Sequence, residues 1–233
     1  MQPAGIGVAQ GREVKLARMN KKPDSPSRRR ATSAVPADAS ASTGPAGHTL
    51  RIIGGIWKRS RLPIAAHPGL RPTPDRVRET VFNWLGQDLS GWSCVDAFAG
   101  TGALGFEAAS RGATQVLLVE QDRQLVLQLA AVKARLQAQQ VRIQRGDGVA
   151  ALAQLPASSV DAVFLDPPFD AGLFEAGLRV AAVAVRPSGF VYLEAPKAWG
   201  DADLLGVGLS LVRHLKAGAV HAHLLQRSQT PHA

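Results

Sequence analysis

From Ser93 onward, short apolar runs alternate with stretches of helical period, and this alternation constrains the fold more than any other feature of the chain. Cys94–Phe98, Gln115–Glu120, Val141–Arg145 and Val160–Leu165 have strand length, and Ala103–Arg111, Arg123–Gln137, Val149–Leu155 and Leu173–Val185 read as the helices that follow them. The period is clearest in the second helix, where Leu125, Leu129, Val132 and Leu136 share one face. Phe190–Glu194 gives a fifth strand, and residues 209–215 and 220–226 lie close enough to form an antiparallel pair. The pattern predicts an α/β protein with a doubly wound, Rossmann-like sheet of seven strands, mostly parallel and joined by right-handed crossovers.

In such a sheet, ligands bind at the carboxyl ends of the strands. The first strand runs into Asp96-Ala97-Phe98-Ala99-Gly100-Thr101-Gly102-Ala103-Leu104-Gly105. Gly100, Gly102 and Gly105 form G-x-G-x-x-G, whose missing side chains permit a tight turn, close ligand approach and tight helix packing. Glu120 closes the second strand, where it can bind ribose hydroxyls, and Asp147 follows the third, where it can accept from an adenine amino group. Phe98 and Thr101, inside the loop, complete the candidate cofactor set. The glycines alone fit a dinucleotide as well. Asp96, however, faces the loop with a carboxylate that would repel a pyrophosphate and attract an ammonium or sulfonium. No G-K-[ST] follows the glycines, which excludes a P-loop.

The fourth strand ends in Asp166-Pro167-Pro168-Phe169. Two prolines lack backbone N–H groups and fix φ, so the strand stops there and the chain leaves extended. A carboxylate, bare carbonyls and a ring then meet at one strand end, and all four residues are candidate catalytic positions. Each acid also has a plain structural role open to it: Asp96 as a turn cap, Glu120 as a helix start, Asp147 as an N-cap, Asp166 as a strand terminator. Acid at four successive strand ends nonetheless suits S-adenosylmethionine, a cation, better than NAD.

Residues 1–48, rich in Ala, Ser, Pro, Gly and basic side chains and without apolar periodicity, are expected to form a disordered basic tail, and Met19 offers an alternative start. Residues 49–90 should form an N-terminal hairpin and helix, residues 91–227 the cofactor-binding domain and residues 228–233 a short tail. The hairpin reads as two strands around Gly54-Gly55. Thr73 is placed to N-cap the helix, with Pro74 at its first position and Val77, Val81, Trp84 and Leu85 on its apolar face. Between Arg51 and Glu79 stand Arg51, Lys58, Arg59, Arg61, Arg71, Arg76 and Arg78 against only Asp75 and Glu79, with Trp57 among them. Cations interleaved with a ring suit single-stranded nucleic acid, although a solvated hairpin would look similar. The whole chain carries a formal charge of +9, which favours a polyanionic partner. No apolar run reaches the ~20 residues of a membrane span, and a lone Cys94 excludes an internal disulfide. Of the histidines, His221 and His223 would share a strand face but have no acidic or cysteine partner nearby, and no metal site is expected.

The residues from about 50 to 195 resemble class I S-adenosylmethionine-dependent methyltransferases, and within them the RsmD-type 16S ribosomal RNA guanine-N2 methyltransferases. The glycine loop and Asp166–Phe169 carry the superfamily; Arg51-Ile52-Ile53-Gly54-Gly55, Leu70-Arg71-Pro72-Thr73, Asp75-Arg76-Val77-Arg78-Glu79-Thr80 and Phe82-Asn83-Trp84-Leu85 carry the narrower likeness. Ala97 and Thr101 stand where a larger hydrophobe or a serine is common, and the first 48 residues have no counterpart. The resemblance implies methyl transfer from S-adenosylmethionine, leaving S-adenosylhomocysteine, to a guanine N2 amine. It implies 16S ribosomal RNA or a small-subunit assembly intermediate as partner, acted on in the cytoplasm by a monomer. An adenine-N6 DNA or RNA methyltransferase, an NAD-dependent dehydrogenase and a non-catalytic RNA-binding assembly factor are the rival readings.

Overall fold

The computed structural model describes residues 49–64, 73–169 and 171–227. The expected tails, 1–48 and 228–233, lie outside the described residues, as does Arg71. Seven strands form one sheet: β3 (Ser93–Asp96), β4 (Gln115–Glu120), β5 (Val141–Arg145), β6 (Val160–Leu165), β7 (Val185–Ala195), β8 (Leu209–Ala217) and β9 (Val220–Arg227). Their spatial order is β5-β4-β3-β6-β7-β9-β8. The first five strands in sequence are mutually parallel, and β9 is antiparallel to both β7 and β8. The order reverses between β3 and β6, the switch point where a doubly wound sheet opens its ligand crevice.

Helices α2 (Ala103–Ser110), α3 (Arg123–Leu136), α4 (Gly148–Ala153) and α5 (Phe174–Ala184) are the crossovers. Asp122 caps α3 by accepting from the N–H groups of Gln124 and Leu125, and Asp147 caps α4 by accepting from Ala150. The central strands of the sheet are buried on both faces. Phe106, Phe164, Tyr192 and Leu118 pack on one side; Val163, Leu165, Leu178 and Leu193 pack on the other.

The N-terminal part shares the first of these cores. Leu50, Ile52 and Leu62 from the hairpin and Val77, Val81 and Phe82 from α1 (Asp75–Trp84) join Phe106, Phe164 and Tyr192 in one cluster. Two details differ from the sequence expectation. The hairpin is not closed by the glycine pair: its strands, β1 (Thr49–Arg51) and β2 (Arg61–Pro63), are three residues each, and residues 52–60 form a long connection. That connection is held by α2. Glu107 accepts from the N–H groups of Ile53 and Gly54 at 2.7 Å each, and the Ser110 carbonyl accepts from Ile56. Gly55 has φ +72°, and a Cβ there would overlap the Ser110 carbonyl, so no other residue fits. Thr73, in turn, does not cap α1, whose N-cap is Pro74. Its hydroxyl is drawn instead to Glu194, 121 residues away in sequence.

Candidate active site

The strand ends at the switch point carry carboxylates on one face of the sheet. In the parallel register Asp96 pairs with Phe164 on one side and Leu118 on the other, and Phe164 pairs with Tyr192. Two residues further on, with the same facing, come Glu120, Asp166 and Glu194. Asp96, Glu120, Asp166 and Glu194 therefore gather along one edge, and among the described residues none of them forms an ion pair.

Their electrostatics follow from that crowding. Asp96 is buried, and desolvation pushes its carboxyl up to about 7; the Gly105 N–H, bound at 3.0 Å, opposes the rise and the Glu120 charge adds to it. Asp166 is pushed well above the ordinary carboxylate range, first by burial and then by the charges of Glu194 and Asp96. Glu194 is raised by burial, against hydrogen bonds from the Thr73 hydroxyl at 2.7 Å and the Tyr192 hydroxyl at 2.9 Å. Four acids with no cation among the described residues make an arrangement that a positively charged ligand would complete.

The glycine loop is shaped as expected. Gly102 opens α2 at φ +77°, where a Cβ would crowd Phe106 and Leu129. Thr101 is buried, Phe98 half-buried. Glu120 ties the loop to β4: Oε2 accepts from Gly100 N–H at 2.8 Å and Oε1 from Asp122 N–H at 2.9 Å. Asp147 is exposed, with Oδ1 engaged in capping α4.

At the end of β6, Pro167 is buried while Pro168 and Phe169 are exposed. Phe169 lies 6.2 Å from Phe174, which lies 6.2 Å from Trp199. These two rings, with Thr73, Tyr192 and Glu194, were missed from sequence. Only Glu194 carries a usable signal there, as a charge closing an apolar strand.

The basic residues divide. Arg51, Lys58, Arg59, Arg61 and Arg76 are exposed, and Trp57 is half-buried against the core. Arg78 corrects the expectation. It is fully buried, donating to the carbonyls of Thr73 and Arg51 and to Asp75 and Glu107, so it is a structural residue with no surface to offer a nucleic acid. His214 joins His221 and His223 in a stack on the β8–β9 hairpin. Both nitrogens of His223 are taken, Nε2 by the Trp199 N–H and Nδ1 by the Leu193 carbonyl, and His214 Nε2 bonds His221 Nδ1.

Sheet order and acidic edge together define the class I methyltransferase architecture. The structure aligns with a putative methyltransferase from Escherichia coli at TM-score 0.66 and 34% identity, covering 78% of this chain and 100% of that one. A putative methylase from Haemophilus influenzae aligns at TM-score 0.64 and 30% identity, again over 78% and 100%. A ribosomal RNA small subunit methyltransferase D of Escherichia coli is 40% identical over 180 residues, 76% of this chain and 90% of that protein. The family described as "Conserved hypothetical protein 95" matches residues 50–226. The chain belongs to this family, that of the RsmD methyltransferases.

Proposed function

We propose that the protein transfers a methyl group from S-adenosylmethionine to the exocyclic N2 amine of a guanine in small-subunit ribosomal RNA. One observation carries this reading: Asp166, in a patch of carboxylates with no basic partner among the described residues, is followed by two prolines and an exposed ring at the switch point of the sheet. The relatives' names support RNA of the small subunit as substrate. No helix among the described residues is long and apolar enough to cross a membrane, which accords with a substrate met in the cytoplasm. The four acids of the edge lie on strands of a single sheet, and a monomer is the acting form in this reading.

The candidate cofactor residues fit the group. Asp96 offers a buried carboxylate with no cation beside it among the described residues, Gly100 to Gly105 with Phe98 and Thr101 would form the cradle, and Glu120 and Asp147 would hold ribose and adenine. Bound there, S-adenosylmethionine supplies an electrophilic methyl on a sulfonium. A guanine amine is a poor nucleophile because its lone pair is delocalised into the ring, so alignment is the chain's main task, and it can supply about 7–11 kcal/mol. Asp166 and the Pro167 carbonyl accept from the amine, Pro168 keeps the segment extended, and Phe169 stacks on a base taken out of its helix. Arg51, Trp57, Lys58, Arg59, Arg61 and Arg76 hold the flanking strand, as does Arg71 outside the described residues.

The test is transfer of tritiated methyl to small-subunit particles, naked RNA and DNA, with mapping of the modified base. Label on a guanine N2 of small-subunit RNA is expected. Label on adenine N6 would overturn the base assignment, and calorimetric binding of NADH without S-adenosylhomocysteine would overturn the cofactor.

A further inference from the structure

We propose that Glu194 is a positioning residue for the transfer step: held by the N-terminal extension, it keeps a carboxylate beside Asp166 so that Asp166 receives the proton that the methylated nitrogen gives up. The inference rests on the reading of Asp166 as the group that contacts the amine. In the step itself, the amine electron pair forms the new N–C bond, and the S–C pair returns to sulfur, which becomes a neutral thioether. The proton leaves nitrogen for an Asp166 carboxylate oxygen, and the N–H electron pair stays on nitrogen.

Three observations place Glu194 in this role. First, Leu165 pairs with Leu193, so Asp166 and Glu194 are the next residues on adjacent parallel strands, facing the same way. Second, Glu194 is only 3% exposed, a costly place for an acid. Third, its two hydrogen bonds, from Thr73 and Tyr192, both fall on Oε1, and among the described residues nothing donates to Oε2. A carboxylate fixed by one oxygen presents the other in a constant position.

Thr73 connects that position to the rest of the extension. Its carbonyl accepts from Arg78 Nε at 3.3 Å, and Arg78 reaches Glu107, whose carboxylate grips the backbone of Ile53 and Gly54. A buried polar chain thus runs from the basic connection at residues 52–60 to the catalytic edge. The groups facing the Asp166–Glu194 pair are Asp96 from β3, Tyr192 from β7 and, through Thr73, Arg78 from α1, with Glu120 of β4 beside Asp96.

A like charge at close range raises the proton affinity of its neighbour, and this is the direction found for Asp166. Asp166 works as a carboxylate, so the rate falls as pH drops through its raised value. Removing the neighbour's charge moves that fall to lower pH. Single-turnover methyl transfer by the full chain, measured against pH on small-subunit RNA particles, tests this with Glu194→Gln and Tyr192→Phe. Glu194→Gln should shift the acid limb down by about one pH unit and slow the plateau by roughly 10-fold, with S-adenosylhomocysteine affinity unchanged. Tyr192→Phe, which removes a bond that favours ionised Glu194, should shift the limb the same way by less. A slower Glu194→Gln enzyme with an unmoved acid limb, or one with wild-type rate and limb, overturns the proposal. Should Glu194→Gln fail a thermal-melt check of folding, the Tyr192→Phe limb decides alone. A wild-type enzyme that labels no RNA would instead defeat the functional reading beneath it.

Discussion

One carboxylate on α2 and three at the strand ends are treated in opposite ways. Glu107, with no exposed surface, accepts from the N–H groups of Ile53 and Gly54 at 2.7 Å, from Arg111 Nε at 2.8 Å and from Arg78 Nη1 at 3.5 Å. Arg111 itself stacks 4.9 Å from the Phe82 ring centroid. Asp96, Asp166 and Glu194 are buried or nearly so and have no cation at all among the described residues. Burying a charge costs free energy unless a partner offsets it. At Glu107 the chain offsets the cost itself, and the result is a joint between the hairpin connection and α2. At the edge no described residue does so, which in the proposed reading leaves Asp96 to a cationic ligand and Asp166 to the reacting amine.

The largest effect expected from this contrast is on stability. Glu107→Ala removes the carboxylate partner of Arg111 and the acceptor of two backbone N–H groups, leaves Arg78 with Asp75 as its carboxylate partner, and should cost about 3–5 kcal/mol in urea unfolding. Asp166→Asn, measured alongside, should be neutral or stabilising. Equal losses for both would erase the distinction.

Next comes pH. Asp96 keeps its proton to about 7 in the folded, ligand-free chain, whereas an unfolded Asp releases it near ~3.9. Its contribution to stability is therefore complete below that lower value, declines as pH rises, and is gone above about 7. The loss should reach up to about 4 kcal/mol between the two limits, and Asp96→Asn should flatten the curve. A wild-type slope retained by Asp96→Asn would contradict the assignment.

Smaller effects are expected at the surface. Lys58→Ala and Arg59→Ala should each weaken RNA binding modestly and lower its salt slope by about one for every phosphate that is no longer neutralised. Cofactor affinity should not change. Arg78 separates the two kinds of arginine: its replacement should lower stability, and any loss of RNA binding should track the unfolded fraction.

Much of the fold was legible because its strands are short apolar runs bounded by turn residues. The bounds of β4, β5 and β6 match the expectation at both ends. The misses have a common cause in partners distant along the chain. Thr73 looked like a cap because local spacing allows it, but Glu194 took its hydroxyl. Arg78 looked like one more surface cation, since nothing nearby in sequence reveals Glu107, 29 residues later. Gly54-Gly55 looked like a two-residue turn until α2 claimed its backbone. β7 starts at Val185 rather than Phe190, with a register irregularity that sequence alone does not display. The loop glycines and Asp166–Phe169 stand out as candidates because their pattern is local to a strand end, while Glu194 reads in sequence as the last residue of a strand.

The most direct test of the unbalanced edge is single-turnover methyl transfer by Asp166→Asn at saturating S-adenosylmethionine, with S-adenosylhomocysteine affinity measured on the same preparation. A rate lowered by roughly 10²–10⁴-fold, with cofactor affinity nearly unchanged, is expected. An Asp166→Asn enzyme that transfers methyl at the wild-type rate would contradict the account.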